Sequence, residues 1–569
     1  MTDPITFQVV SSRLSGIVQE MQDNIFRTGY STIVRESHDA SCLLLDRNGE
    51  VVGEHVVAPL HITSLPGVVR AIHARFGNDI HPGDAFITNH PFEADVAHSI
   101  DMALAMPSFA GDRLVAFAGS IAHKSDLGGV VPGTVNGSAS DAFQEGIFYP
   151  AVRFVSRGTI ERDIEAILRA NSRTPDTILG DLRGQIGVAR LGERRLHEVI
   201  DRYGVETLLD VFAEKLDRTE QRMRALLAAL PDGSAEAEGT IDPDGSAAAA
   251  VRFHVRVEKR GDRILFDFSG CSDQVSMPIN IRPPVVRGAC YYALMGMFDP
   301  TIENNGGLAR VVEMRTRPGS ILDAIYPAPT NTYLPSATVV TEIVITALSR
   351  LALEKQVGES GGVGSLSIGG MRTTGELFSS YELIGSAYGG RTGKDGLSGT
   401  SVYHTNSNTA PLEIIESEFP VRIGPLELIR DSGGPGTYRG GLGAVRSYTI
   451  LNPEVQITLR GGKHAIAAGG AADGGAARLG ACVINPGSAE EKRLPSRFGG
   501  VRLRRGDVVR IEKSGGGGVG PPSARPFERI VDDVLDGYVS RGAAISDYGA
   551  DAVKLDAALA AWEGQPCEL

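Results

Sequence analysis

Eight of the twelve histidines fall between His38 and His123, and within that stretch His98-x-x-Asp101 is followed by His123-x-x-Asp126. Two imidazoles with nearby carboxylates make a mixed nitrogen and oxygen donor set, the kind that suits Zn, Mn or Fe. A hairpin would bring them together. Apolar runs at Met102–Phe109 and Leu114–Ile121 flank Ala110-Gly111-Asp112-Arg113, which reads as a turn. With the turn centred on Gly111 and Asp112, Asp101 falls opposite Ala122 or His123 at the open mouth, and His98 lies just before the first strand. His38, Asp39 and His61 precede this unit and are candidates to complete a site, but nothing in the sequence places them. The same residues also suit polar groups satisfied in a core or exposed on a surface, and spacing alone leaves these readings open.

Three other motifs carry less chemistry. Asp431-Ser432-Gly433-Gly434-Pro435 matches the nucleophile context of chymotrypsin-like proteases, but Arg430 precedes it and no matching histidine context exists, so it reads as a glycine-rich turn. Gly393-Lys394 imitates the end of a phosphate loop, yet Tyr388 stands for the first glycine and Asp395 for Ser/Thr. Gly515–Gly518 could cradle an anion with its backbone N–H groups, although a tight turn is the simpler reading.

The elements that must position the histidines follow from periodicity. Val10, Leu14, Ile17, Val18, Met21 and Ile25 form the apolar stripe of a helix over 6–28. The SCLLLD run at 41–46 and the VVGEHVV run at 51–57 flank Arg47-Asn48-Gly49, a hairpin signal. Residues 161–230 have helical period and good helix formers. After Leu230-Pro231-Asp232-Gly233 the chain turns to strands, with turns at Asp242-Pro243-Asp244-Gly245 and Lys259-Arg260-Gly261-Asp262, and glycine-rich stretches recur to 520. The expected fold is α+β: a mixed N-terminal metal-binding region (1–160), a helical segment (161–230), and a β-rich C-terminal half divided into 231–440 and 441–569.

Composition bounds the function. The 56 Lys+Arg against 69 Asp+Glu give a net charge of −13, which opposes nucleic-acid binding. The 70 glycines follow no collagen period and read as many tight turns. Cys42, Cys271, Cys290, Cys482 and Cys567 are odd in number and include no CxxC pair, so neither a disulfide framework nor a zinc ribbon is expected. The start, MTDPITFQVVSSR, has no basic and apolar leader, and no apolar run of 18 residues appears, so a cytoplasmic protein without a membrane span is expected.

Taken in order, several motifs resemble the hydantoinase B / 5-oxoprolinase C-terminal-half family, which includes the larger subunits of acetone and acetophenone carboxylases. They are Glu36-Ser37-His38-Asp39-Ala40-Ser41, Asn89-His90-Pro91-Phe92, His98-Ser99-Ile100-Asp101 and Ala122-His123-Lys124-Ser125-Asp126-Leu127-Gly128-Gly129, then Asp267-Phe268-Ser269-Gly270, Thr405-Asn406-Ser407, Asp431 to Gly436, Gly515 to Gly518 and Asp547-Tyr548-Gly549. The chain departs from the family where a Gly-Gly-Thr-His-type run becomes Asp95-Val96-Ala97-His98, and where Asn89-His90-Pro91 replaces the commoner Asn-Asp-Pro.

The resemblance implies one divalent metal held by His98, Asp101 and His123, with Asp39 as a further ligand. Asp126 is expected to orient His123 by accepting its other ring N–H, the pair forming the catalytic group. The family further implies an A-type partner with an actin-like fold that binds ATP and Mg and phosphorylates a small cyclic amide, the two chains forming a hetero-oligomer. The expected activity is hydrolysis of that activated amide, of hydantoinase, oxoprolinase or lactamase type. A ketone carboxylase subunit and a purely structural metal-binding subunit are the alternatives.

Overall fold

The computed structural model describes residues 2–55, 59–243, 251–403 and 405–563. The end of the expected 51–57 strand, the Asp244-Gly245 half of one turn and Cys567 lie outside the described residues.

Helix α1 (Pro4–Thr28) begins where Asp3 accepts the Thr6 N–H at 2.9 Å and Pro4 takes the first helical position. Its expected apolar stripe is buried. A short helix α2 (Thr32–Arg35) leads into a seven-stranded antiparallel sheet, and the chain then runs β1 (Ala40–Asp46), β2 (Val51–Glu54), α3 (Pro59–Phe76), β3 (Ala85–Thr88), β4 (Asp101–Ala110), β5 (Arg113–His123), β6 (Val152–Ser156) and β7 (Thr159–Ile160). The strand order is β2-β1-β5-β4-β3-β6-β7. Helices α4 (Arg162–Ala170), α5 (Pro175–Tyr203) and α6 (Val205–Ala229) form the expected helical segment.

Because strand side chains alternate, each strand feeds two cores. Met102, Leu104 and Met106 of β4 face α5. Ala103 and Ala105 face α3 with Phe117 and Ile121 of β5 and with Leu65, Val69 and Ile72 of α3. Asp101 and His123 share the parity of that second set, so they sit at the ends of these two interior strands on the α3 side.

The middle of the chain forms a four-stranded sheet of β8 (Gly233–Thr240), β9 (Arg252–Arg260), β10 (Arg263–Asp267) and β11 (Val312–Arg315). Helices α7 (Pro283–Phe298) and α8 (Leu334–Leu351), which the sequence reading did not separate from the strands, pack on each other, and α8 lies across β8 and β9. Helix α8 is long and apolar enough to cross a membrane, but 83% of it is buried inside the protein, as in a core helix.

Strands β12 (Gly364–Met371) and β13 (Leu377–Ile384) form a hairpin. On its other edge β12 pairs with the strand Glu454–Arg460, which pairs in turn with Arg497–Arg504, so one sheet joins segments on both sides of residue 440. One face of β13 presents Phe378 and Ile384 to a C-terminal core, and the other turns Tyr381 and Leu383 toward the N-terminal region.

The glycine excess has a second cause beside the expected turns, which hold glycines such as Gly49, Gly111, Gly261 and Gly375 at positive φ. A Cβ on Gly440 would stand 1.8 Å from the Gly516 carbonyl oxygen, and one on Gly517 would stand 1.9 Å from that of Gly469. These glycines permit backbone to lie against backbone, and Gly515–Gly518 needs no left-handed φ. The segment is neither an anion cradle nor a turn: Gly516 donates to Gly441 O at 3.0 Å, Gly517 to Glu359 O at 2.8 Å and Gly518 to Gly475 O at 2.9 Å.

Candidate metal centre

The β4–β5 hairpin closes through Gly111 (φ 61°), with Ala110 opposite Arg113. A bulge between Ser108 and Phe109 then shifts the register by one and sets Asp101 directly opposite His123. The last paired residues of the strands are thus the two expected ligands. His98 joins them from the turn before β4, where the Asp101 N–H donates to His98 O at 3.2 Å.

One carboxylate oxygen receives both rings: Asp101 Oδ1 lies 3.1 Å from His98 Nε2 and 3.1 Å from His123 Nδ1. The three side chains offer ligand atoms within 4.8 Å of one another, and all are buried. Burial disfavours the Asp101 charge, but His98 and hydrogen bonds from His123, His61 and His98 outweigh it and hold the carboxyl well below its usual range. Burial also lowers the pKa of His98, opposed by Asp101. His98 Nδ1 donates to Asn331 O at 3.2 Å, since only an N–H can bond a carbonyl, which leaves Nε2 as the nitrogen that faces Asp101 and would meet a metal once its proton is displaced.

Asp39 arrives from the chain before β1, where the His123 N–H donates to Asp39 O at 3.1 Å, and its Oδ2 lies 4.0 Å from His123 Nδ1. His61, on α3, places Nε2 3.6 Å from Asp101 Oδ2 and bonds Ser41 Oγ through Nδ1 at 2.9 Å. His38 is not in the cluster. Its ring stacks on Phe26 at 3.9 Å and meets Asn408 Nδ2 at 3.0 Å.

Do these residues fit a metal? Among the described residues, Asp101 Oδ2 and His123 Nε2 are buried with no hydrogen-bond partner at normal distance, and the donor set is mixed imidazole and carboxylate. The cluster walls a cavity of about 20 Å³, room for one ion or water. An unspent carboxylate oxygen beside two oriented imidazoles fits a divalent cation.

Asp126 does not orient His123, and this corrects the expectation. Its Oδ1 accepts the N–H groups of Gly128 at 3.0 Å and Arg173 at 2.9 Å, while Oδ2 accepts Gly133 N at 2.9 Å and Arg173 Nη1 at 3.0 Å. Parity explains the neighbouring Lys124: one residue past His123, it points to the opposite face and reaches Gln185 Oε1 at 2.6 Å. Both departures from the family pattern sit at positions with a special local conformation. Asp95 adopts φ 58°, a left-handed conformation that glycine takes easily and aspartate tolerates. His90 Nδ1 accepts the N–H groups of Phe92 and Glu93 at 3.2 Å each, as an aspartate there could.

Distant segments complete the walls. Tyr333 packs edge-on against His98 at 4.8 Å, and the Tyr381 ring lies on His123 at 4.4 Å. Arg460 is buried over Tyr381, donating to Ser365 Oγ at 3.0 Å and Asn331 O at 3.4 Å. Burial lowers its pKa, opposed by Tyr333, Asp39 and Asp101. These residues lie more than two hundred positions from His123, and no local spacing signals them.

Residues 3–522 match the family model described as Hydantoinase B/oxoprolinase. The chain belongs to this family. It is 31% identical, over 96% of its length, to the B-type chain of a "Putative D-/L-hydantoinase" of Pseudomonas sp. (strain NS671), covering 95% of that protein. Among solved structures, the ATP-dependent caprolactamase from Pseudomonas jessenii superposes with a TM-score of 0.91 at 27% identity, over 99% of both chains. Acetone carboxylase in its nucleotide-free form shares the fold, with a TM-score of 0.86 at 18% identity over 99% of this chain and 83% of that one. Within the hydantoinase B family this chain is thus of the type with a candidate metal site, a hydrolase in kind.

The remaining motifs carry no catalysis. Ser432 Oγ donates to Ile429 O at 2.6 Å inside a turn, as expected, and Asp395 is taken by Arg525 at 2.8 Å. The segment after Lys394 continues into the strand Ser398–Thr400, not the helix a phosphate loop requires.

Proposed function

We propose that this chain is the metal-bearing, B-type component of an ATP-dependent cyclic amidase, hydrolysing an amide that an A-type partner has activated by phosphorylation. The observation that carries this reading is the buried His98–Asp101–His123 cluster, with unspent ligand atoms, in a chain similar end to end to those of a hydantoinase and a caprolactamase. His98, Asp101 and His123 would hold one divalent ion (Zn, Mn or Fe), with Asp39 at the open side as a fourth ligand. When bound, such an ion lowers the pKa of water toward ~7 and so supplies hydroxide at neutral pH.

The chain's own groups do the rest. The Asn331 carbonyl holds His98 in one tautomer. Asp101 supplies negative charge between the two imidazoles. His61, bonded to Ser41 and facing Asp101, is placed to hold or pass a proton at Nε2. Arg460 puts a buried positive charge beside the carboxylates, where it stabilises negative charge developing on a substrate oxygen.

An unstrained amide is a poor electrophile, and phosphorylating its oxygen makes a better leaving group. ATP and Mg would sit on the partner, in a hetero-oligomer of the cytoplasm, and this chain alone is expected not to bind ATP. The test is co-expression with an A-type partner: a cyclic amide should stimulate ATP hydrolysis and appear as ring-opened product. Carboxylation of a ketone by the pair, with no amide opened, would overturn the reading.

A further inference from the structure

The Asn331 carbonyl serves two groups of the centre at once, accepting from His98 Nδ1 at 3.2 Å and from Arg460 Nη1 at 3.4 Å. A shift of this one oxygen would move a proposed ligand and the buried cation together. Asn331 lies in no helix or strand, so no ladder holds it. The peptide that carries the carbonyl is tied on its far side, where Thr332 N donates to Pro278 O at 2.7 Å. The tie on its near side is Glu145.

Glu145 follows the 3-10 turn Ala142–Gln144 and is fully buried. Its Oε1 accepts the Asn331 N–H at 2.7 Å, and its Oε2 accepts the Thr330 N–H at 2.9 Å. Its backbone carbonyl accepts from Ser99 Oγ at 2.6 Å and from Asn331 Nδ2 at 3.3 Å. One residue thus joins the loop of His98 to the loop of Asn331. Burial pushes the Glu145 pKa up to about 8, while the N–H groups of Thr330 and Asn331 pull it down. A buried carboxyl is expensive, and an amide or an apolar side chain would fill the space at less cost. Neither would offer an acceptor to both of two adjacent N–H groups, which a carboxylate does.

We propose that Glu145 is a positioning residue of the metal centre: its carboxylate fixes the Thr330–Asn331 backbone so that the Asn331 carbonyl aims His98 at the metal and holds Arg460 beside the carboxylates. The inference rests on the metal reading above and extends it to a residue 22 positions past His123 in the chain. Glu145 acts through Asn331, and what the centre takes from it is geometry. Glu145→Gln keeps the volume and one acceptor oxygen but turns an NH2 group toward the second backbone N–H. One of the two ties then opens.

The test compares the full wild-type chain with Glu145→Gln and Asp126→Asn above pH 8, where the Glu145 carboxyl is ionised. Zinc affinity is read by competition with a chelator, and the visible bands of the cobalt-loaded chain report ligand geometry. Glu145→Gln should bind zinc about tenfold more weakly and shift the cobalt bands, with the circular dichroism of the wild type. Asp126→Asn also alters a buried carboxylate, yet it should keep the wild-type affinity and bands. If Glu145→Gln does not fold, Glu145→Asp, whose shorter arm cannot reach both N–H groups, should show the same weakening and band shift. Wild-type affinity and bands in the folded Glu145 variant would overturn the proposal, as would equal weakening in Asp126→Asn, since the loss would then follow stability alone. If the wild type binds neither zinc nor cobalt, the metal reading falls, and a crystal structure of the Glu145 variant decides the rest. A broken His98 Nδ1 to Asn331 O bond there would keep Glu145 as the residue that aims His98, and an intact one would overturn that too.

Discussion

At the mouth of the β4–β5 hairpin, buried polar atoms are left over: Asp101 Oδ2, His123 Nε2 and the Tyr381 hydroxyl all lack hydrogen-bond partners among the described residues. In the glycine layer around 515–518 the opposite holds, and successive N–H groups meet carbonyls at 2.8–3.0 Å with no side chain between the strands. Both regions are buried and both depend on close approach. The layer spends the N–H groups of Gly516, Gly517 and Gly518 on backbone carbonyls, whereas the hairpin mouth withholds side-chain valences at a cost in stability. A protein tolerates that cost where a ligand is to be bound.

The largest effect should come from the layer. Gly517→Ala places a Cβ 1.9 Å from a carbonyl oxygen and Gly440→Ala one 1.8 Å away, with no flexible side chain to yield. Each should cost more than ~4 kcal/mol and leave little folded protein. Either variant melting within a few degrees of wild type by circular dichroism would break the comparison.

Asp126 tests the boundary between the regions. It follows a proposed ligand by three residues but serves the 128–133 loop and Arg173. Asp126→Asn should lose about 3 kcal/mol, as when one member of a buried ion pair is removed, with bound metal unchanged. Metal loss without destabilisation would restore a role beside His123.

His464 probes the edge of the layer by pH. Burial, with Lys513 and Arg497 nearby and Asp242 opposing, pulls its pKa from 6.5 to about 4. The folded state therefore resists protonation. The contribution is complete above pH 6.5 and is lost as pH falls toward 4, about 3 kcal/mol in all. His464→Gln should flatten the melting temperature across that window, and an unchanged slope would count against it.

The smallest effect belongs to the support of His98. Asn331 Oδ1 accepts from Ser99 N and Oγ at 3.0 Å each, fixing the loop whose carbonyl holds His98. Asn331→Ala should weaken metal binding roughly 10- to 100-fold without unfolding the chain, as measured by competition with a chelator.

The hairpin mouth was legible in the sequence because it is local: strand alternation and one turn bring Asp101 to His123, with the bulge at Ser108 choosing His123 over Ala122. The helix over 6–28 and the helices of 161–230 were legible for the same reason, being written in period. His61 was visible as a histidine but not as a neighbour, since α3 must cross the sheet to bring it to Asp101. Asn331, Tyr333, Tyr381 and Arg460 left no local trace, because they arrive from other sheets and loops. Asp126 misled because a three-residue spacing past a strand end says nothing about where the chain turns. The glycine count was read as turns alone, which holds for the positive-φ glycines but missed the layer around 515–518, because composition does not separate a positive φ from a close approach.

The central claim is tested most directly by elemental analysis of the purified chain beside His98→Ala and His123→Ala. One divalent ion per wild-type chain is predicted, with nearly all of it lost in both variants while their circular dichroism matches wild type. Undiminished metal in the two variants would contradict the assignment of the hairpin mouth as a metal centre.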